Sequence, residues 1–249
     1  VPRGGLVRHH DTMNGSGGGD AHAPDAQAPA LDHWSDVLDA PTRACWPIVA
    51  AVSPPSGVLM GGTALAIHLG HRRSRDLDVF VHERFEPEAA LARLQAAAEV
   101  AVTDIAEGTL DCWVDGVRVQ FLHARGQRQL DRPRVIEGLA VGSVRDVAAT
   151  KYKVIGDRGE LRDYFDLMRI DIDVGLSPET ALRLYAERYQ VGFDHPSVGH
   201  IVLALGSFAD VADDPWLAEA APDARFAEIS AYWQQRQPRV AAWLAATVG

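Results

Sequence analysis

The stretch that most constrains this chain is Val58–Val81, VLMGGTALAIHLGHRRSRDLDVFV. An apolar run, Val58–Met60, ends in Gly61-Gly62. The segment TALAIHLG follows with apolar residues at helical spacing, and Gly70 is placed to cap it. Asp76-Leu77-Asp78 comes thirteen residues after Gly62 and opens an alternating run rich in Val and Phe, which reads as a strand. Residues two apart on a strand share a face, so Asp76 and Asp78 project together while Leu77 and Val79 point the other way. Two adjacent carboxylates repel, and both stay ionised only with a cation between them. Oxygen ligands without His or Cys suit Mg²⁺, or Mn²⁺. Gly61, Gly62 and Thr63 stand at the strand-to-helix turn. Glycine there lets backbone approach a phosphate, the helix N-terminus presents free N–H groups, and Thr63 adds a hydroxyl. A phosphate cradle beside a metal-binding carboxylate pair is what phosphoryl or nucleotidyl transfer requires.

The rest of the chain divides into three parts. Residues 1–30 are rich in Gly, Ala, Pro, Ser and Asp with few large apolar side chains, so they are expected to be disordered. Val1–Gly4 looks like a protease-site remnant, and Met13 is a candidate natural start. Residues 31–142 read as an α/β (α+β) core with a small mixed sheet flanked by helices. Pro41 and Pro47 predict a helix, a break and a short helix before the glycine pair. A helix over PEAALARLQAAAEV follows, then VAVTDIAEGTLDCWV and VRVQFLH, joined by the hairpin signal Asp115-Gly116. Residues 143–249 read as a helical domain. Ser143 caps VRDVAATKYKVIG, with Asp146 in a capping-box-like place. ELRDYFDLMRIDI is the next helix, and Ser177-Pro178 starts another.

Composition limits the partners. The formal net charge of −10 argues against coating nucleic acid through bulk charge. Local basic stretches remain at His71–Arg75 and His123–Arg134, either as grooves or as solvated loops. No apolar run approaches the roughly 20 residues of a membrane helix. Two cysteines, Cys45 and Cys112, do not make a disulfide framework, so a cytoplasmic setting is expected.

Met60, Gly61, Gly62, Asp76 and Asp78 resemble the signature of the polymerase-β-like nucleotidyltransferase superfamily. Gly61–Phe80 more closely resembles the AbiEii/AbiGii-type family, which includes toxins of type IV toxin–antitoxin and abortive-infection systems. A second block, AATKYKVIGDRGELRDYFDLMRI, is similar to the family's later motif, with Lys151, Arg158, Arg162, Asp163 and Asp166 at the matching positions. The bland alternative for that block is an Arg162–Asp166 helical pair. The resemblance spans roughly residues 55–170 and implies a nucleotidyltransferase fold followed by a C-terminal helical domain. It implies that Asp76 and Asp78 hold the metal and that Gly61, Gly62 and Thr63 cradle the NTP phosphates. Lys151, helped by Arg158, would neutralise the leaving pyrophosphate, and Asp163 or Asp166 would meet the base or orient the lysine. It also implies a tRNA 3′ end or a protein as acceptor, and a cognate antitoxin as partner. Arg72, Arg73 and Arg75 would steer RNA or form a solvated loop. Superfamily members with two-metal catalysis often carry a third carboxylate on the central strand, and here Gln120 stands in its place. That departure keeps open a nucleotide- or partner-binding module with impaired catalysis. A small-molecule acceptor of the antibiotic type is the other alternative.

Overall fold

Alternating burial along two strands builds the frame that the site hangs on. The chain is described here by a computed structural model covering residue 1 and residues 31–249, so the expectations for the N-terminal segment fall outside the described residues. An irregular 3₁₀ segment, Leu31–Val37, leads into α1 (Ala40–Val52). Next come β1 (Gly57–Leu59), α2 (Gly61–Leu69), β2 (Leu77–Val81) and α3 (Pro87–Gln95). β3 (Val100–Ala106), β4 (Thr109–Val114) and β5 (Val117–His123) form a meander. β6 (Arg134–Ile136) and β7 (Leu139–Val141) make a further hairpin. Then come α4 (Val144–Asp157), α5 (Leu161–Arg169), a π turn at Ile170–Val174, α6 (Pro178–Tyr189), α7 (Pro196–Ala204), α8 (Pro215–Ala220) and α9 (Phe226–Val248).

The strands form one sheet in the order β3-β4-β5-β2-β1-β7-β6. β1 with β7 and β2 with β5 are parallel pairs, and the other pairs are antiparallel. On one face Leu77, Val79 and Val81 lie beside Val119, Phe121, Leu110 and Cys112, all buried, with α1 and α3 packed against that side. The other face carries Asp78, Gln120 and Asp111 in register. The expected mixed α/β fold is therefore present, with the polar sheet face left for chemistry.

The departures have local causes. α1 runs unbroken through Pro47, and Pro41 sits in its first turn, where a missing N–H costs nothing. A mid-helix proline costs about 3 kcal/mol. Trp46 and Val49, fully buried on either side of it, each return about 1.5–3 kcal/mol. The Trp46 indole N–H also donates to the Ile136 carbonyl. VAVTDIAEGTLDCWV is a hairpin of its own, folding at Glu107-Gly108 with Gly108 at φ +73°. The β6–β7 hairpin is absent from the sequence reading because three-residue strands are too short to show a period. The Asp115-Gly116 turn has positive φ at both residues, as its hairpin requires.

The last strand ends at Val141, and helices follow from Val144. Leu31–Gly249 is nonetheless one compact unit. A single apolar cluster runs from Leu38 and Trp46 through Tyr152 and Phe165 to Trp233 and Val240. Cys45 and Cys112 are buried free thiols. Among the described residues no helix is long and apolar enough to cross a membrane.

The second basic stretch is latched rather than solvated along its middle. Ser143 caps α4 as expected, and its hydroxyl also donates to Asp146. The Asp146 carboxylate accepts from the backbone N–H groups of Leu130 and Asp131, 2.8 and 3.1 Å away. Arg188 on α6 donates to the same carboxylate at 2.5 Å and to the Arg128 carbonyl at 3.1 Å. Both partners of this ion pair are essentially unexposed. Asp146→Ala would strand the buried Arg188 guanidinium together with two backbone donors. It is expected to cost about 3–5 kcal/mol, read as a lower urea midpoint at unchanged slope. Asp146→Ala/Arg188→Met is expected to recover part of that loss.

Candidate active site

The polar face of the sheet presents its side chains in cross-strand rows. Asp78 on β2 lies beside Gln120 on β5, which lies beside Asp111 on β4. Phe80 is paired with Leu122, and Trp113 with Arg118. These side chains floor a cleft of about 460 Å³, whose far wall is built from α4, α5 and α8. That size suits a nucleotide-sized ligand.

Asp76 and Asp78 both line the cleft and are half-buried. Among the described residues neither carboxylate is held in an ion pair, although Arg118 and Lys151 act on Asp78 through space. Burial, and then the neighbouring Asp76 charge, push the Asp78 acid up to about 6. Two carboxylates lining one cleft, one with its pKa raised by burial and by the other's charge, fit a hard divalent cation that would offset that repulsion. Two protein carboxylates are enough for Mg²⁺, which completes its shell with water and phosphate oxygens.

The glycine pair is required by packing on both sides. Gly61 has φ +67°, and a Cβ on it would come within 2.4 Å of the Asp78 carboxylate. A Cβ on Gly62 would come within 2.2 Å of the Arg72 guanidinium. No side chain caps the N-terminus of α2, so its first-turn N–H groups are left to face the cleft. Thr63 is buried, and its hydroxyl is already committed to Ser74 Oγ at 2.7 Å and to the Asp76 carbonyl. What Thr63 can offer a phosphate is its backbone N–H, and its hydroxyl instead ties α2 to the start of β2.

Lys151, on α4, reaches the cleft from beneath. Its ammonium lies 2.6 Å from Asp163 and 2.7 Å from Asp166, both on α5. Burial alone would lower the lysine pKa, but the two carboxylates outweigh it and hold the group above its ordinary value. Asp166 is wholly buried. It accepts from Arg72 Nε at 2.7 Å, Arg72 Nη2 at 2.9 Å and His71 Nε2 at 2.8 Å. Burial would raise its pKa, but Arg72 and Lys151 hold the acid well below the usual carboxylate range. Burial likewise lowers His71, so its ring is neutral and Nε2 carries the proton it donates. The fork between Asp163 and Asp166 thus orients Lys151, and Asp166 lies too deep to reach a base. The helical pair Arg162–Asp166 does not form, because Arg162 turns to Glu160 and to Asp214.

The remaining arginines part company. Arg72 is buried in the Asp166 network, which removes it as a guide for substrate. Arg73 reaches Glu219 on the surface. Arg75 lies over the Trp216 ring, 4.0 Å from its centroid, at the cleft rim. Arg158 ends α4, pairs with Glu160 at 2.8 Å and stays largely exposed beside the cleft. Three lining residues are missing from the sequence reading: Arg118, Trp113 and Trp216. Strand parity puts Arg118 on the face of Gln120, and that was the available signal. Trp216 carries no such signal, since its place depends on Asp214 capping α8 while accepting from Arg162.

Comparison with known proteins agrees with this geometry. Residues 48–135 match the family described as the nucleotidyl transferase AbiEii toxin of type IV toxin–antitoxin systems. An uncharacterised protein of Aquifex aeolicus is 25% identical over 181 residues, covering 71% of this chain and 81% of that one. Among solved structures, one from H. pylori, provisionally assigned as a nucleotidyltransferase, superposes with a TM-score of 0.50. It is 16% identical and covers 82% of this chain and 95% of its own, a likeness of fold. MenT4, a nucleotidyltransferase toxin from Mycobacterium tuberculosis, gives a TM-score of 0.49 at 17% identity, covering 85% of this chain and 89% of its own. Residues 48–135 thus carry a segment similar to the AbiEii nucleotidyltransferase domain.

Proposed function

We propose that this chain transfers a nucleoside monophosphate from an NTP to an acceptor hydroxyl, with Mg²⁺ or Mn²⁺ held by Asp76 and Asp78. The observation that carries this reading is the pair of half-buried carboxylates, without an ion-pair partner among the described residues, facing one cleft with the uncapped N-terminus of α2 and the Lys151 ammonium. The cation would neutralise phosphate charge beside the carboxylate pair. Backbone N–H groups of Gly61, Gly62 and Thr63 would receive phosphate oxygens, the close approach made possible by the missing side chains at the first two. Lys151, already oriented by Asp163 and Asp166, would neutralise the charge that builds on pyrophosphate, with Arg158 at the cleft mouth. The acceptor oxygen forms a bond to the α-phosphorus as the bond to the β-phosphate oxygen breaks, and the acceptor proton leaves to water.

The acceptor in this reading is a tRNA 3′ end or a protein side chain. The aromatic rim favours RNA: Trp113 is 46% exposed, and Trp216 is stacked by Arg75. Both offer flat surfaces to bases. A toxin role, restrained by a cognate antitoxin in the cytoplasm, follows from the family. The rival reading, a binding module with impaired catalysis, rests on Gln120.

Incubation with labelled NTPs and total RNA or protein should yield a labelled acceptor. Asp76→Ala and Asp78→Ala are expected to abolish it, and Lys151→Ala to slow it on the order of a hundredfold, with folding checked by thermal melts. NTP and Mg²⁺ raising the Tm with no labelled product from any acceptor would favour the rival. Metal binding should also follow Asp78. Its folded pKa is raised, so the metal-free protein takes up a proton on folding. It therefore loses stability as pH rises from about 4 through about 6. A divalent ion needs the ionised pair. Saturating Mg²⁺ is therefore expected to raise Tm by roughly 5 °C at pH 7.5 and by less than half of that at pH 5.

A further inference from the structure

We propose that Arg118 takes the place of a second cation in the cleft, its guanidinium held by Asp111, which Gln120 braces in turn, and that a single divalent ion serves the Asp76–Asp78 pair. This rests on the nucleotidyltransferase reading above. Position 120 is in direct register with Asp78 on the parallel strand, where an acid would stand shoulder to shoulder with the pair as a third ligand. Glutamine puts a neutral amide there, and the amide turns away from Asp78. Its Nε2 donates to Asp111 Oδ2 at 2.6 Å.

Asp111, the acid at the next position in the same row, is equally committed. Arg118 forks onto both of its oxygens, Nε to Oδ1 at 3.2 Å and Nη2 to Oδ2 at 2.6 Å. That pairing holds the Asp111 carboxyl below the usual range. Its negative charge is spent on a guanidinium rather than offered to a metal.

Arg118 is two residues before Gln120 on β5, so it shares the polar face, and it lines the cleft with Asp76 and Asp78. Its side chain is 39% exposed. The fork uses Nε and Nη2, and among the described residues Nη1 has no partner. Its charge is felt by both Asp76 and Asp78. A guanidinium already fixed on one side needs no reordering to donate on the other, and a planar donor set matches a phosphate oxygen. The third acid of the row has thus become the anchor of a permanent positive charge.

The test counts metal rather than turnover. Wild type is titrated with Mn²⁺ in the presence of an α,β-methylene NTP analogue, and bound Mn²⁺ is read by electron paramagnetic resonance. One Mn²⁺ per chain is expected. Gln120→Asp, which restores an acid beside Asp78, is expected to bind two. Arg118→Ala should keep one Mn²⁺ and weaken the analogue between about ten- and a hundredfold, while Arg118→Lys recovers part of that affinity. Thermal melts establish that each variant is folded. Two Mn²⁺ ions on wild type, or unchanged analogue affinity in Arg118→Ala, would overturn the proposal and leave the nucleotidyltransferase reading standing. Wild type that binds neither Mn²⁺ nor the analogue would overturn both.

Discussion

The wholly buried carboxylate of Asp166 is the point on which the site depends. A lone carboxylate at such depth costs several kcal/mol. Here it accepts three hydrogen bonds of 2.7–2.9 Å, one from His71 and two from Arg72, and lies 2.7 Å from the Lys151 ammonium. The donors come from the loop after α2 and from α4, and the acceptor from α5. One charge therefore fixes the helix bearing the glycine pair, the helix bearing the lysine and the distance between them. A network satisfied to this degree has little freedom to rearrange, and the cleft inherits that rigidity. It also explains why two glycines are needed: one clears the Asp78 carboxylate and the other clears Arg72. The pair serves the protein's own charges before it serves any phosphate.

Much of this was written locally. The Val58–Val81 stretch shows its strand, its helix, the cap at Gly70 and the shared face of two aspartates, because each follows from a period or from a single residue's backbone preference. The Lys151 block likewise announced its helices and the shared face of Asp163 and Asp166. What the sequence did not reveal was pairing at a distance. Nothing near Arg72 indicates that it turns inward to Asp166, ninety-four residues later. The same arginine read along the chain is one of three in a polar loop. Thr63 is a similar case, with a hydroxyl suited to phosphate and a neighbour, Ser74, that claims it first. Short elements failed for another reason. Three-residue strands such as β6 and β7 hold less than two full periods, yet β7 completes the sheet beside β1.

Gln120 shows how a missing residue can mislead when read alone. In the sequence it is an absent acid, and an absent acid suggests lost chemistry. In the sheet it is one member of a row, Asp78–Gln120–Asp111, and an acid stands one strand over. Strand parity already placed Arg118 on that row's face. Only the cross-strand register shows that Asp111 is close enough to hold it. Charge on this face is therefore better counted by rows than by strands: at one end a carboxylate pair without ion-pair partners among the described residues, and at the other a neutralised carboxylate with its arginine.

The C-terminal helices carry no motif, yet they finish the site. Asp214 caps α8 through the Leu217 N–H and accepts from Arg162 on α5, which fixes the short helix over the cleft mouth. Arg75, two residues before β2 begins, then lies over the Trp216 ring. Below them the Trp233 indole on α9 donates to the Tyr164 carbonyl of α5. The C-terminal helices thus grip the first turn of α5, and α5 is the helix that orients Lys151. A boundary drawn where strands give way to helices would cut the bonds by which His71 and Arg72 hold Asp166, one of the two carboxylates at Lys151. The physical unit of this enzyme is the ion network spanning that boundary, and the sheet and the helices are its two supports.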